Sequence, residues 1–334
     1  MGETRAMKGL ELARRYYLEV GRPMLEREFP EYLPRIAAGL VGDGSECLGY
    51  DDAISQDHDF GPGFCLWLSK EDYEAAGARM QEMYQRLPGS FLGFPARNTS
   101  ARGDGRVGVF QIFEFYRRFI GNEQPPADLM RWLYLPEHKL AILASGEVFE
   151  DGAGQFSEIR DVIRAYYPED VRIKKIAARA ASMAQSGQYN YGRCMRRGDI
   201  VAASMALSEF IKHALAMIYL LNRRYAPYYK WSFRGLADLP MLAGAAPLLR
   251  ELAGLGDQSS AWEEPHPEHW NPYVNMLDKK VERIERICRM VTEELNRQGL
   301  TDRDDDFLEA HTGELMGRIQ DPVLRGCHVL EGIT

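Results

Sequence analysis

Two acids one residue apart, and a glycine–serine pair upstream of them, are the residues whose types and spacing could do chemistry here. They lie in Gly42-Asp43-Gly44-Ser45-Glu46-Cys47-Leu48-Gly49-Tyr50-Asp51-Asp52-Ala53-Ile54-Ser55-Gln56-Asp57-His58-Asp59. Read as a strand, Asp57-His58-Asp59 puts Asp57 and Asp59 on one face, because alternate side chains point the same way. Their Cα atoms would then stand roughly 7 Å apart. Neighbouring carboxylates repel unless a cation bridges them. Mg²⁺ suits them, since it prefers oxygen ligands and is held by one or two carboxylates plus substrate phosphates. Two such ions about 4 Å apart activate an attacking oxygen and stabilise a leaving pyrophosphate. His58 would face the other way, as a structural residue. The plain alternative is a surface loop that happens to carry Asp-x-Asp.

The second device is the Gly44-Ser45 turn, read as leaving a strand and opening a helix. Glycine lets backbone approach a phosphate closely, and a helix N-terminus offers free N–H groups and partial positive charge. The Ser45 hydroxyl adds a donor. Taken alone, this is also what any strand-to-helix turn looks like.

Together the devices form Gly44-Ser45-x-x-x-Gly49-x-Asp51-Asp52-x-x-Ser55-x-Asp57-His58-Asp59. This resembles the signature of the DNA polymerase beta nucleotidyltransferase superfamily, in particular a bacterial branch catalogued only as a domain of unknown function. Gln188-Tyr189-Asn190, Arg193, Arg197-Gly198-Asp199, Asn222-Arg223-x-Tyr225 and Tyr228-Tyr229-Lys230-Trp231 are similar to the helical half of that branch. The resemblance spans most of 40–235. It implies an α+β chain: a small mixed-sheet domain, then a helical bundle closing over a nucleotide, as in enzymes of the kanamycin nucleotidyltransferase type. It further implies that Gly44 and Ser45 hold a triphosphate such as ATP, and that Asp57 and Asp59 bind Mg²⁺. The superfamily usually adds a third carboxylate from a neighbouring strand, as general base. The strand expected at 107–112 offers Gln111 instead. Glu114 is the favoured substitute, with Asp104 before the strand as the other acid. Lys230, flanked by aromatics, is the helical half's best cation for phosphate. Tyr189 and Arg193 fall one helical turn apart and could face the cleft, although packing explains them as well.

Apolar residues at helical spacing predict a helix over 4–28. Ile36 to Val41 reads as a strand, Ser45 as the start of a short helix that Gly49 ends, and Ile54 to Phe60 as a strand. Gly61-Pro62-Gly63 interrupts that strand, and Phe64 to Leu68 resumes it. A helix follows to Leu87, then a strand over 107–112 and a helix carrying Phe113, Tyr116, Phe119 and Ile120. Leu140 to Leu143 and Glu147 to Phe149 read as a hairpin. Character changes at Asp151-Gly152-Ala153-Gly154, giving domains 1–150 and 151–334. The second reads as a bundle of helices over 157–167, 171–186, 200–224 and 275–296. Alanines 177, 178, 180 and 181 permit its helices to pack closely.

Composition bounds the rest. The chain has 334 residues, 45% of them hydrophobic and 27% charged, enough for a sizeable core. A net charge of −8 argues against a broad nucleic-acid surface, so an RNA acceptor is the least expected. Five cysteines with no CxxC spacing point away from a disulfide framework or zinc site and toward a reducing, cytoplasmic setting. The start shows no apolar signal segment, and no run of about 18 apolar residues predicts a membrane span. His266 and His269 are spaced like zinc ligands, but neighbouring prolines preclude the helix such a pair needs. Ser45 lacks the second glycine of a GxSxG nucleophile turn, since Cys47 stands there. The expectation is therefore a Mg²⁺-dependent nucleotidyltransferase acting on a nucleoside triphosphate and an acceptor hydroxyl, on a small molecule or a protein. A catalytically silent nucleotide- or partner-binding module of the same fold is its rival, and a metal phosphohydrolase a third reading.

Overall fold

The computed structural model describes residues 7–57, 59–98, 105–263 and 273–333. The expectations concerning His58, Asp104, His266 and His269 lie outside them. Helices dominate, with one four-stranded mixed sheet, so the chain is α+β. It divides into two compact units. One comprises 1–126 with 138–165, and the other 127–137 with 166–334. The sequence alone draws its line at 150/151. The compact units divide after Ala165, because the helix after that line packs on the sheet.

In the first unit, α1 covers 9–28, as Gly9–Tyr16 and Arg22–Glu28 with a wider turn at Tyr17–Gly21. Then come β1 (Ala37–Leu40), the one-turn α2 (Ser45–Leu48), β2 (Cys65–Leu68) and α3 over 70–85. β3 (Gly108–Gln111) leads into α4 (Ile112–Ile120), and β4 (Glu147–Asp151) into α5 (Gln155–Arg164). Strand order is β3-β2-β1-β4. β1 runs antiparallel to β2, with Ala37 opposite Trp67, and to β4, with a register shift at Ala38/Gly39. β2 and β3 run parallel.

Period-two alternation sorts the core. Leu66 and Leu68 of β2, with Phe64 before it, pack with Tyr16, Tyr17 and Leu25 of α1 and Met80 of α3. Trp67 points to the opposite layer, stacked on Phe156 of α5 at 4.0 Å and edge-on to Phe115 of α4 at 5.4 Å. Burying each such ring contributes about 1.5–3 kcal/mol.

Two expectations for the first unit are corrected by the structure. Leu140 to Leu143 is not a strand but part of the helix Glu137–Ala144. Its last carbonyls are gathered by Arg160, which donates to the backbone oxygens of Leu143 (3.0 Å), Ser145 (2.7 Å) and Gly146 (2.9 Å). β4 therefore pairs with β1 rather than with a hairpin partner. The strand expected over 54–60 does not form among its described residues, for reasons given below.

The second unit is a helical bundle. α6 covers 169–196, regular at Glu169–Met183 and Gly192–Arg196 and wider-wound at Ala184–Tyr191. The stop expected near Gly187 is overrun. Gly187 instead admits the Phe210 ring of α7 (Ile200–Leu221), where a Cβ would collide with it. Asp199 caps α7 and Asp278 caps α8 (Lys279–Arg297). Asp278 also accepts from the Tyr191 hydroxyl at 2.9 Å and Trp262 Nε1 at 2.8 Å, fastening α6 and the 259–262 turn to the start of α8. Among the described residues, only α7 has the length and apolarity to cross a membrane. Its C-terminal stretch, His213–Leu221, is buried within the bundle, whereas its first half buries Ala203, Leu207 and Phe210 and exposes Ile200, Val201 and Met205.

Candidate functional site

β1 ends at Leu40, and the chain turns through Gly42 (φ 144°) and Gly44 (φ 139°) into α2. Both angles are in the region that glycine alone tolerates readily, which explains the Gly-Asp-Gly spelling. Gly49 (φ 74°) ends α2 in the left-handed conformation. So the strand, glycine–serine turn and one-turn helix are as expected. Four residues make too short a helix for an appreciable macrodipole, however, so a phosphate here would be gripped by the turn's own N–H groups and the Ser45 hydroxyl.

The next residues build a loop rather than a strand. Asp51 reaches back to α1, where its Oδ2 accepts from the Gly9 N–H at 2.8 Å and its Oδ1 lies 3.5 Å from Lys8 Nζ. It serves as a cap for α1 supplied from 42 residues away. Asp52 Oδ1 accepts from the backbone N–H of Ile54 (3.1 Å) and Ser55 (3.0 Å), and the Ser55 hydroxyl in turn accepts from Asp52 N–H. This reciprocal capping nucleates the 3-10 turn Ile54–Gln56. Asp57 follows in helical backbone (φ −68°), and Asp59 sits at φ 53°.

The acids expected to share a strand face are thus loop residues with different surroundings. Asp57 is exposed. Asp59 is 6% exposed, with its carboxylate 3.4 Å from the Arg106 guanidinium. The physical reason is local. Self-capping by Asp52 and Ser55 favours a turn, and the break at Gly61-Pro62-Gly63 postpones sheet pairing to Cys65.

Arg97 nevertheless ties this loop to the turn. Its Nη1 donates to Glu46 Oε1 at 2.9 Å and to the Asp59 carbonyl at 2.6 Å, while Nη2 donates to the Gly61 carbonyl at 3.0 Å. Glu46 directly follows Ser45, so a single guanidinium clasps the glycine–serine segment and the acidic loop together. Both partners are nearly inaccessible, at 6% for Arg97 and 5% for Glu46. Burial pushes the Glu46 carboxyl upward against the opposing pull of Arg97. Burial likewise works against the charge on Arg97, but Glu46 more than offsets it and the net shift is upward. Glu46 Oε2 has no hydrogen-bond partner among the described residues.

Glu46, Arg97 and Arg106 border the candidate site and were not singled out from the sequence, and Asp51 stood in the motif without a role of its own. Arg97 and Arg106 come from distant loops and leave no local signal.

The remaining candidates are dispersed. Glu114 lies in the first turn of α4, 58% exposed and paired with Arg117 at 2.6 Å. Gln111 caps that helix by accepting from Glu114 N–H. No third acid therefore comes from β3. Tyr189 and Arg193 lie in the second unit, and they meet one turn apart as expected. Arg193 hydrogen-bonds the Tyr189 hydroxyl and stacks between its ring, at 4.6 Å, and that of Tyr273, at 5.3 Å. Lys230 is exposed, 5.3 Å from the Trp231 ring, beside the exposed Tyr228–Tyr229 pair at 4.5 Å.

Among the described residues no group of three or more His, Cys, Asp or Glu side chains is placed to hold a metal. Asp57 and Asp59 are hard oxygen donors of the kind Mg²⁺ takes in pairs with phosphate oxygens. Such an ion would have to share Asp59 with Arg106. All five cysteines are free thiols, and burial pushes those of Cys47 and Cys65 upward.

Residues 132–232 match a protein family described as Domain of unknown function (DUF4037). The match covers the stretch in which Tyr189, Arg193 and Lys230 lie and leaves the Gly44–Asp59 segment outside it. No curated protein and no solved structure is similar to the chain.

Proposed function

We propose that the chain is a nucleotidyltransferase, moving a nucleoside monophosphate from a triphosphate to an acceptor hydroxyl at the Gly44–Ser45 turn and the 57–59 loop. The observation that supports this reading is the Arg97 clasp. Through it, a bend able to grip phosphate and a loop bearing two acids are held side by side on the β1 end of a mixed sheet. In this reading the turn's backbone N–H groups and the Ser45 hydroxyl orient the triphosphate tail. Mg²⁺ would be held by Asp57 and Asp59 with phosphate oxygens, and when bound it neutralises charge on the leaving pyrophosphate. Arg97 keeps the loop from drifting off the turn. Arg106 balances the Asp59 charge while no nucleotide is present. The acceptor hydroxyl attacks the α-phosphorus in line, and the bond to pyrophosphate breaks.

The test supplies α-labelled triphosphate, Mg²⁺ and a panel of hydroxyl acceptors. Label should pass to an acceptor with release of pyrophosphate, and Asp57→Ala or Asp59→Asn should abolish both. Turnover persisting in both variants removes the acids from the reaction. One observation favours a second reading, a nucleotide-binding module without catalysis: Glu114, the favoured third acid, is turned to Arg117. Triphosphate binding in a thermal-shift assay with no pyrophosphate released across the panel would select that reading.

A further inference from the structure

The end of the sheet that carries the candidate site also carries Arg106. β1 leaves the sheet there, and β2 and β3 enter it there, since Gly39 stands opposite Cys65 and Cys65 beside Gly108. The Arg106 backbone is pinned at this end. Its carbonyl accepts from the Cys65 thiol at 3.3 Å, and the nearby Gly108 N–H donates to the Phe64 carbonyl at 3.0 Å. Its guanidinium is held more loosely. Nη1 lies 3.4 Å from the Asp59 carboxylate, longer than the roughly 2.7–2.9 Å of a close charge-assisted hydrogen bond. Nε is buried and has no hydrogen-bond partner among the described residues. Asp59 is the fixed member of the pair. Its N–H donates to the Asn98 carbonyl at 2.8 Å and its own carbonyl accepts from Arg97, in left-handed backbone. Its side chain is 4% exposed, against 24% for Arg106. Arg106 also lies close enough to the glycine–serine turn for Glu46 to feel its charge. Burial raises that carboxyl, Arg97 opposes the rise most, and Arg106 opposes it too.

The two ligands of the proposed site make opposite demands on this one guanidinium. A divalent ion on the Asp59 carboxylate would stand close to Arg106 and be repelled by it. A triphosphate at Gly44–Ser45 gains from a planar fork of donors that matches phosphate oxygens, once that fork is turned from Asp59. We propose that Arg106 is an exchange residue, which holds Asp59 in the empty site and passes to the triphosphate as a divalent ion takes that carboxylate. The proposal rests on the nucleotidyltransferase reading. It adds the form in which substrate is taken, a metal-chelated nucleoside triphosphate rather than either component alone. Whatever else contacts Asp59, each ligand then removes an obstacle to the other, and by linkage the effect is reciprocal.

Two probes read the exchange without acceptor or turnover. Mn²⁺ alone, in place of Mg²⁺, is titrated by electron paramagnetic resonance, and ATP in EDTA by calorimetry. Arg106→Met should bind Mn²⁺ about tenfold more tightly and metal-free ATP about tenfold more weakly than the unmodified protein. A merely structural loss would weaken both. Asp59→Asn, in which Arg106 is already released, should take metal-free ATP about tenfold more tightly, and adding Arg106→Met should cancel that gain. A folded Arg106→Met protein with any other pair of changes overturns the proposal. Should that variant fail to fold, metal-free ATP bound no more tightly by Asp59→Asn overturns it equally. Both results leave the nucleotidyltransferase reading standing. An unmodified protein that binds neither Mn²⁺ nor ATP, alone or together, removes that reading and the proposal with it.

Discussion

At the scale of single residues, Arg97 decides whether the candidate site exists. It is buried, it satisfies the equally buried Glu46, and it accounts for the position of the Asp59 backbone. Removing one partner of a buried ion pair leaves an uncompensated charge, which typically costs about 3–5 kcal/mol. Arg97→Met should therefore lower stability in urea denaturation by an amount of that order. Arg97→Met with Glu46→Gln should recover part of it, because no charge is then left stranded. Full stability in Arg97→Met would show that the clasp is incidental. The sequence disclosed the ends of this arrangement and not its middle. Gly44, Ser45, Asp57 and Asp59 carry a spaced pattern that can be read along one line. Arg97 stands 51 residues from Glu46, and only the folded chain makes them partners.

At the scale of elements, the turn after β1 and the loop before β2 show how local chemistry overrides a period-two guess. Alternation over 54–60 looked like a strand. Asp52 and Ser55 form closed capping contacts with each other's backbone, which a strand would forfeit. The turn after β1 invites a direct test. Gly44 at φ 139° meets no neighbour closer than 3.4 Å, the Glu46 Cγ, at the position of an added Cβ. Gly44→Ala therefore adds backbone strain with little steric conflict, costing on the order of 1–3 kcal/mol. Triphosphate affinity, measured by calorimetry, should fall by more than the stability loss explains, since the turn itself must reshape. Unchanged affinity would place phosphate elsewhere.

At the scale of the whole molecule, buried ionisable groups set the response to pH. Glu285 of α8 accepts from Gln188 of α6 at 2.8 Å. Burial raises its carboxyl to about 7, with Asp306 adding to the rise and Gln188 and Arg289 opposing it. In the unfolded chain it titrates near 4.5. The folded form therefore binds the proton more tightly. Its contribution is fully favourable below about 4.5 and is lost progressively as pH rises to about 7. Glu285→Gln keeps the shape and a carbonyl acceptor for Gln188. It should raise stability by about 1–3 kcal/mol above pH 7, the gain shrinking to nothing as pH falls to the unfolded value. Thermal melts of both proteins across that range check it. A pH-independent difference would mean that Glu285 is ionised throughout.

What the sequence determined by itself is whatever a few neighbouring residues settle among themselves. That includes the α+β class, the glycine-bent exit from β1, the caps at Asp199 and Gly49, and the alanine-rich close packing of α6. Tertiary structure decided what depends on distant partners. It assigned α5 to the sheet unit, turned 140–143 into helix under Arg160, and set Asp59 against Arg106. It also laid 328–333 along the cations of α6. The reason is physical. Caps and turns are satisfied within a few bonds of their own residue, whereas a buried charge must find its counterpart wherever the fold brings one, and that distance along the chain leaves no pattern to read.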